Sequence, residues 1–300
     1  MSAMQERPPA VARQRVRRAL RQFRERTPLS QGDVARELGW SLSKMQRIEA
    51  AEVAVSLTDL RALLDVYGVA DAGLIADLSQ EAQAARRQRW VTPPEHRDHL
   101  TAGLRQLMQF ESEAVSIRAF QNVVLPGALQ TPAVAELVLH MAGSRITDEA
   151  RRVRFDVRMQ RRRHLLDNPH GMEYLLILDE SVIKRRVGSR EVMAEQLEAL
   201  AEIARRPNIA IRVVPFEMGA RIGLVDPFSI VNLSDADDDA VVYREFYGDD
   251  RVIDDQVEVR YWREIFEEMW KTSLPEDATV RSIEAEAAQL RAEPDERRLS

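Results

Sequence analysis

The stretch from Leu29 to Glu49, LSQGDVARELGWSLSKMQRIE, constrains the fold of this chain more than any other. It predicts two short helices joined by a tight turn. Gly39 marks the turn, because glycine adopts a positive φ without steric cost, and Ser41 is a suitable N-cap for the second helix. The positions where two crossed helices must meet carry apolar side chains and one small residue: Val34, Ala35, Leu38, Trp40, Met45 and Ile48.

This arrangement predicts a helix-turn-helix, whose second helix presents its polar face to the major groove of DNA. Leu42, Ser43, Lys44, Gln46 and Arg47 point away from the packed positions of that helix. Arg47 suits a bidentate contact with guanine, Gln46 with adenine, and Leu42 a contact with a thymine methyl group. Ser43 shares a face with Arg47, and Lys44 is expected to hold a phosphate. The alternative interpretation is that these side chains form only the solvated face of a small bundle.

Positive charge is concentrated around this stretch, although the whole chain carries a net charge of −6. Residues 1–47 hold eleven arginine and lysine residues against four acidic residues, whereas residues 48–80 hold one against six. Neutralising DNA phosphates requires such a local excess of cations. From 11 to 26 the arginines lie among helically spaced apolar residues, and most of them are expected to form a solvated basic face.

Composition limits the remaining possibilities. The chain has no cysteine, so disulfides and thiolate metal sites are excluded. It has no apolar run of about 18 residues and no hydrophobic signal segment at its arginine-rich N-terminus. We therefore expect a cytoplasmic protein that does not enter a membrane.

The pattern of periodic segments and breakers predicts two folded domains. We expect a flexible tail at 1–10, an all-α five-helix domain at 11–80, a linker at 81–95, an α+β domain at 96–292 and a second tail at 293–300. In the larger domain helices are predicted at 97–118, 132–141, 147–167, 190–205, 255–272 and 279–292. Strands are predicted at 172–178, 209–214, 226–233 and 239–245. Helices grouped around strands of antiparallel character indicate an α+β fold overall.

Two parts of the chain resemble known families. Residues 29–68 resemble the helix-turn-helix of phage repressors and of the bacterial Xre-type regulators. Residues 106–270 are similar to the C-terminal domain of an actinobacterial, antitoxin-like group of such regulators, whose biochemical role is poorly defined. The segments that carry this second resemblance are FESEA at 110–114, LPGALQT at 125–131, LDES at 178–181, RRVG at 185–188 and QL at 196–197.

The resemblance implies that Gln31, at the start of the first helix of the pair, bonds a phosphate. The predicted DNA-binding set is thus Gln31, Ser41, Leu42, Ser43, Lys44, Gln46 and Arg47. The chain departs from its relatives at Ala50-Ala51, where they have a residue and then glycine. We therefore expect the recognition helix to continue further here. Small partner proteins are often encoded beside members of this group.

Other candidate sites have simpler interpretations. His96 and His99 are spaced like a metal pair, but they lie in a polar segment and are expected to be solvated. Asp235, Asp237 and Asp239 alternate as in calcium loops, yet glycine and glutamate are missing from the required positions, which favours an acidic hairpin turn. We expect no metal and no cofactor.

The remaining candidates concern the larger domain. Seven arginines between 151 and 163 form either a second phosphate- or ligand-binding face or, as we expect, a solvated or salt-bridged one. Asp179-Glu180 suggests acid-base chemistry, but no nucleophile motif or phosphate loop accompanies it. The loop 217–226 is either a ligand cover or a hairpin connection. We therefore expect no enzymatic activity.

The sequence thus predicts a sequence-specific DNA-binding transcriptional regulator whose C-terminal domain binds a ligand or a partner. A homodimer is expected, because one recognition helix contacts too few base pairs for useful specificity. The alternative is an antitoxin-like interaction module that binds a small partner protein and autoregulates its operon.

Overall fold

The computed structural model describes residues 9–50, 53–86, 93–141, 143, 146–167, 171–218, 225–234, 239–246 and 249–292. The chain forms two compact units. The first comprises residues 1–91, 108–113 and 233–239, and the second comprises 92–107, 114–232 and 240–300. Two short segments of the domain predicted at 96–292 therefore group with the first unit. In that unit the carboxylate of Glu113 accepts a bond from the amide of Ala10, 2.6 Å away.

The first unit contains the five predicted helices. They are α1 (Pro9–Glu25), α2 (Gln31–Glu37), α3 (Leu42–Glu49), α4 (Leu57–Val66) and α5 (Ala72–Ala84). The all-α character of this region is confirmed. Residues 1–8 of the tail predicted at 1–10, residues 87–92 of the predicted linker and the tail predicted at 293–300 lie outside the described residues. Pro9 and Ala10, which were predicted to belong to the first tail, are part of α1.

One apolar cluster, with members from all five helices, forms the core of the first unit. The helical spacing of leucine, isoleucine and valine in each segment turns one stripe of side chains inward, and burial of that stripe stabilises otherwise marginal short helices. The buried members are Val16, Leu20, Val34, Ala35, Met45, Ile48, Val55, Leu60, Leu63, Leu64, Tyr67, Leu78 and Ala82.

The described part of the second unit is built from helices and six strands. In chain order the elements are α6 (Pro94–Arg97), α7 (Ala102–Glu111), β1 (Ser116–Gln121), α8 (Pro132–Met141), α9 (Asp148–Leu166), β2 (Glu173–Asp179), α10 (Glu180–Lys184), α11 (Arg190–Ile203), β3 (Ile209–Val214), β4 (Phe228–Asn232), β5 (Ala240–Phe246), β6 (Asp249–Ile253), α12 (Gln256–Thr272) and α13 (Glu276–Ala292). Residues 108–111 of α7 group with the first unit. None of the described helices is long and apolar enough to span a bilayer.

The single helix predicted at 97–118 is wrong. The chain forms α6 and α7 there and then enters β1 at Ser116. This strand pairs with β2 on one side and β4 on the other, and pairing with distant strands is not visible in helical periodicity. The strand β6, with the sequence DDRVI, was not predicted. Its acidic start is atypical of strands.

The six strands form one mixed sheet in the order β3-β2-β1-β4-β5-β6. Pairs β1-β2 and β2-β3 are parallel, whereas β1-β4, β4-β5 and β5-β6 are antiparallel. The expected α+β fold is confirmed, but the antiparallel character holds for only one side of the sheet. Helical crossovers join β1 to β2 and β2 to β3, and such connections bring the next strand back in the same direction.

One face of the sheet packs against α12. Phe120, Phe228 and Ile230 on the sheet contact a cluster that includes Trp262 and Phe266 on the helix. The rings of Phe228 and Trp262 are 4.8 Å apart between centroids. Large aromatic side chains bury much apolar area per residue, so this contact is a main source of stability for the second unit.

The segment LPGALQT at 125–131 is held by buried polar side chains. Gln196 on α11 accepts a bond from the amide of Thr131, at 2.7 Å, and donates one to the carbonyl of Leu129, at 3.1 Å. Gln130 donates to the carbonyl of Leu125, at 2.8 Å. Both glutamines are buried. These bonds satisfy backbone groups that water does not reach.

The arginines of α9 also bond this segment, so the expectation of a purely solvated or salt-bridged face is wrong for several of them. Arg158 donates to the Gln130 side chain at 2.8 Å, and Arg162 donates to the carbonyl of Leu129 at 3.1 Å. Burial, together with the neighbouring charge of Arg161, lowers the pKa of Arg158 to about 10. Burial lowers the pKa of Arg162 as well. Both arginines serve the internal structure of the second unit.

Replacement of Gln196 by alanine is expected to destabilise the second unit by about 2–4 kcal/mol, because a half-buried amide and a buried carbonyl would each lose a partner. Chemical denaturation followed by circular dichroism measures the loss. Glu195→Ala, at an exposed position on the same helix, is the matched control and should change stability by less than about 0.5 kcal/mol. Equal effects of the two substitutions would contradict this role for Gln196.

Candidate nucleic-acid interface

Local signals set the ends of the helix pair α2-α3. Ser30 caps α2 by accepting a bond from the amide of Asp33, and the Asp33 side chain accepts from the Ser30 amide, which completes a capping box. Bonds from the hydroxyl and the amide of Ser30, with Arg36 nearby, hold the pKa of Asp33 below its usual value. Gly39 has φ +67°, so the glycine is required for the turn. The pair therefore forms as its sequence predicts.

Helix α3 buries one side and exposes the other. Ser41 is its N-cap and accepts a bond from the Lys44 amide at 3.2 Å. Met45, Ile48 and Glu49 are buried. The exposed residues are Ser41, Leu42, Ser43, Gln46 and Arg47. Five of the seven predicted DNA-binding residues thus lie together on one accessible surface, and their role in DNA binding stays a prediction.

Lys44 is on the same helix but is held by neighbours. Its Nζ lies 2.8 Å from Oδ1 of Asp59 on α4 and 3.7 Å from the ring centroid of Trp40. A cation at this distance from an indole face is attracted by the ring as well as by the carboxylate. Lys44 is therefore bonded within the first unit, whereas the sequence suggested that this lysine was available to a phosphate.

Gln31 is engaged as well. It stands at the first position of α2, where a phosphate contact was predicted, but its Nε2 donates to Oε2 of Glu49 at 2.6 Å. An amide has two donor hydrogens, so this bond leaves one of them for another acceptor. The phosphate role of Gln31 stays a prediction.

Glu49, the last residue of α3, joins three helices. Its carboxylate accepts two bonds from Arg24 on α1, at 2.6 and 3.0 Å, in addition to the bond from Gln31 on α2. The bonds to Glu49 raise the pKa of Arg24. Burial, with the negative charge of Glu49 next in importance, raises the pKa of Tyr67. This carboxylate therefore connects α3 to both α1 and α2.

The structural role of Glu49 was not recognised in the sequence, although a signal exists there. Glu49 lies four residues after Met45 and one after Ile48, and so falls on the apolar side of α3. A carboxylate at such a position is costly unless a cation is buried with it. The periodicity therefore implied a buried partner, but Arg24 lies 25 positions away from Glu49, too far for the pattern of one helix to identify it.

The expected extension of α3 is wrong. The helix ends at Glu49, and Ala50 is its C-cap in a right-handed conformation. The Nε of Arg17 on α1 donates to the carbonyl of Glu49 at 2.5 Å, which satisfies one of the terminal acceptors of the helix. Ala51 lies outside the described residues.

The arginines of α1 do not form the solvated basic face that was expected for most of them. Arg13 is only 6% exposed and donates to the carbonyl of Ala85 at 3.1 Å. Arg15 pairs with the buried Asp239 at 3.0 Å. Arg17 and Arg24 bond Glu49 as described above. These arginines of α1 are therefore bonded to carbonyl and carboxylate oxygens of the first unit. The sequence alone suggested that their charge was available to DNA.

The other candidates have structural roles or lie partly outside the described residues. Asp179 caps α10, and Glu180 accepts a bond from the Phe216 amide at 2.8 Å. Among the described residues no three histidine or acidic side chains are placed to hold a metal ion. Residues 235–238 and 219–224, which include most of the predicted acidic turn and of the 217–226 loop, lie outside that part of the chain.

An open cleft of about 530 Å³ lies between α8 and α9 of the second unit. Leu139 and Phe155 supply apolar surface, and the other lining residues are charged or titratable: Glu136, His140, Asp148, Arg151, Arg152 and Asp156. The Nε of Arg151 is buried without a hydrogen-bond partner. Ligand sites have this order of size and combine apolar walls with a few polar groups.

Comparison with known proteins agrees with this geometry. A helix-turn-helix domain model matches residues 15–78, the region that contains α2 and α3. A family model described as a domain of unknown function, DUF5753, matches residues 104–285. The chain is therefore a helix-turn-helix protein with an uncharacterised C-terminal domain, and it belongs to the DUF5753 family. Neither the curated proteins nor the solved structures with which it was compared match it.

Replacement of Glu49 by glutamine is expected to destabilise the first unit by about 2–4 kcal/mol, since Arg24, whose side chain is 16% exposed, would lose its anionic partner. Hydrogen exchange at the amides of α3 should accelerate accordingly, which reports on this unit alone. Glu37→Gln, at an exposed position of α2, is the matched control. If α3 amides stay equally protected in both variants, Glu49 does not have the anchoring role assigned to it.

Proposed function

We propose that this protein is a sequence-specific DNA-binding transcriptional regulator that works as a homodimer and binds a ligand or a partner through its second unit. The observation that carries the proposal is the exposed surface of α3. Ser43, Gln46 and Arg47 are all exposed there, on a helix anchored by Glu49 from behind. An anchored helix with an exposed polar face matches what recognition of base edges requires.

The side chains on this surface differ in the contacts they can make. Arg47 can donate two bonds to O6 and N7 of one guanine, Gln46 can bond adenine, and Leu42, which is 48% exposed, can contact a thymine methyl group. Ser41 and Ser43 lie at the helix N-terminus, where hydroxyls and amides suit phosphate oxygens. Gln31 and Lys44 then contribute phosphate contacts by exchanging or sharing their present partners.

Loss of Arg47 is expected to remove base discrimination at one position of the operator. Selection of bound duplexes from a random pool by the full-length protein first defines the preferred sequence. Arg47→Ala should then lose about 1–3 kcal/mol of binding to that sequence and tolerate any base at one position. Fluorescence anisotropy with the preferred duplex and its single-base variants measures both effects.

Arg36→Ala is the matched control, because it removes the same charge from α2, where the side chain is 79% exposed. It should weaken binding to all duplexes by a similar factor and leave the base preference unchanged. An unchanged preference in Arg47→Ala, or no selection of any sequence by the wild type, would contradict sequence-specific recognition by α3.

The dimeric state predicts the spacing of the binding site. Two recognition helices of a symmetric dimer contact half-sites about 10 base pairs apart, or a multiple of that distance. Footprinting should therefore show two protected half-sites with inverted symmetry, and sedimentation should give a complex of two chains per duplex. A single protected half-site with one chain bound would contradict the dimer.

The cleft between α8 and α9 favours a small-molecule effector over other occupants of the second unit. Its two apolar side chains and its mixture of carboxylates and guanidinium groups suit a small polar or zwitterionic molecule. DNA binding measured with and without the small-molecule fraction of a cell extract tests for such an effector. Arg152→Ala, at an exposed position in the cleft, should abolish any response without changing DNA affinity in the absence of extract.

The antitoxin-like alternative differs in the occupant of the second unit. Under that alternative a small protein would co-purify with the native chain and change its affinity for the operator, and the small-molecule fraction would have no effect. Under both alternatives we propose that the protein works in the cytoplasm and catalyses no reaction.

A further inference from the structure

Lys44, the residue of α3 that was predicted to hold a phosphate, is paired with a carboxylate from another helix. Its Nζ is 2.8 Å from Asp59, in the first turn of α4, and 3.7 Å from the Trp40 ring centroid. The lysine side chain is 39% exposed and the aspartate side chain 25%. Asp59 therefore occupies the position relative to Lys44 that a phosphate oxygen would take in a DNA complex.

A carboxylate at this point competes with an approaching duplex for Lys44. It must be displaced from Lys44 or share the ammonium group before a phosphate can bind there. Partly exposed ion pairs are weak, so the exchange is possible and costs little, but it lowers the net gain from each phosphate contact.

Trp40 keeps the Lys44 ammonium group in place while a phosphate replaces Asp59. The indole ring holds the Lys44 ammonium group at the same place with or without a carboxylate, because attraction by the ring face needs no counter-charge. A phosphate can then replace Asp59 without reorganisation of the lysine side chain. Asp59 and Trp40 thus keep Lys44 ordered and partly neutralised in the unbound protein.

We propose that Asp59 is an internal competitor for phosphate that sets the sequence-independent DNA affinity of the helix-turn-helix unit through Lys44. This inference rests on the proposed function, since it concerns the same DNA-binding surface. Asp59, which lies outside the recognition helix, limits how strongly the protein holds any duplex. Base contacts by Arg47 and its neighbours then contribute a larger share of the affinity for the operator.

The test uses the full-length protein and a random-sequence duplex, with binding measured by fluorescence anisotropy at several salt concentrations. Asp59→Asn should bind about two- to fivefold more tightly at low salt, and the slope of log affinity against log salt should steepen by up to about 0.9, the value for one additional neutralised phosphate. The Ser56 cap of α4 bonds the backbone amide of residue 59, so it survives the substitution.

Asp65→Asn is the matched control, because Asp65 is exposed on the same helix and its replacement changes the net charge equally. Its effect on affinity should be much smaller. In a background of Lys44→Ala the gain from Asp59→Asn should disappear, since the competitor then has no lysine to occupy. Circular dichroism and thermal melting confirm that each variant is folded.

The outcomes separate this inference from the proposed function. Tighter binding by Asp59→Asn that requires Lys44 supports it. Equal gains in Asp59→Asn and Asp65→Asn, a gain that persists without Lys44, or weaker binding by Asp59→Asn each overturn it while the proposed function stands. Failure of the wild type to bind any duplex at low salt overturns the proposed function and this inference together.

Discussion

The buried carboxylate of Glu49 is the constraint on which the arrangement of the first unit depends. A charge on the apolar side of a short helix cannot be left unpaired, so α3 can pack only where cations and amide donors meet it. Arg24 brings α1 to that point, and Gln31 brings the start of α2. Apolar contacts bind the helices together, but they tolerate small rotations. The directional bonds to Glu49 add a fixed connection between α3 and its neighbours α1 and α2.

The same bonds change how the basic N-terminal region should be interpreted. Counting charges between residues 1 and 47 suggests a strongly cationic surface. In the structure Arg13, Arg15 and Arg24 are bonded to carbonyl or carboxylate oxygens of the first unit, and Lys44 is paired with Asp59. Much of the positive charge therefore stabilises the fold. The salt-dependent part of DNA affinity follows the number of phosphates that are neutralised. A count of the charges in residues 1–47 therefore overstates the contribution expected from this region.

The features that local sequence determines were predicted, and those that depend on distant residues were not. Gly39 and Ser41 act within one turn of chain, so the helix pair and the exposed side of α3 followed from the sequence. The partners of Gln31 and Lys44 lie 18 and 15 residues away, beyond the reach of helical periodicity. In the second unit, the parallel pairs and β6 depend on crossovers and on sheet neighbours, which a segment-by-segment pattern does not specify.

The family resemblance of the second unit indicates its fold more directly than its ligand. The segment LPGALQT, one of those that carry the resemblance, is held by Gln196, Arg158 and Arg162, all of which bond its backbone or its own glutamine. These groups are committed to internal structure, and a ligand could reach them only by replacing bonds that hold the unit together. Arg152 and Phe155 line the cleft beside α8 and have no part in that network. The contacts of the proposed ligand are therefore expected at the cleft and not in the segments that carry the family resemblance.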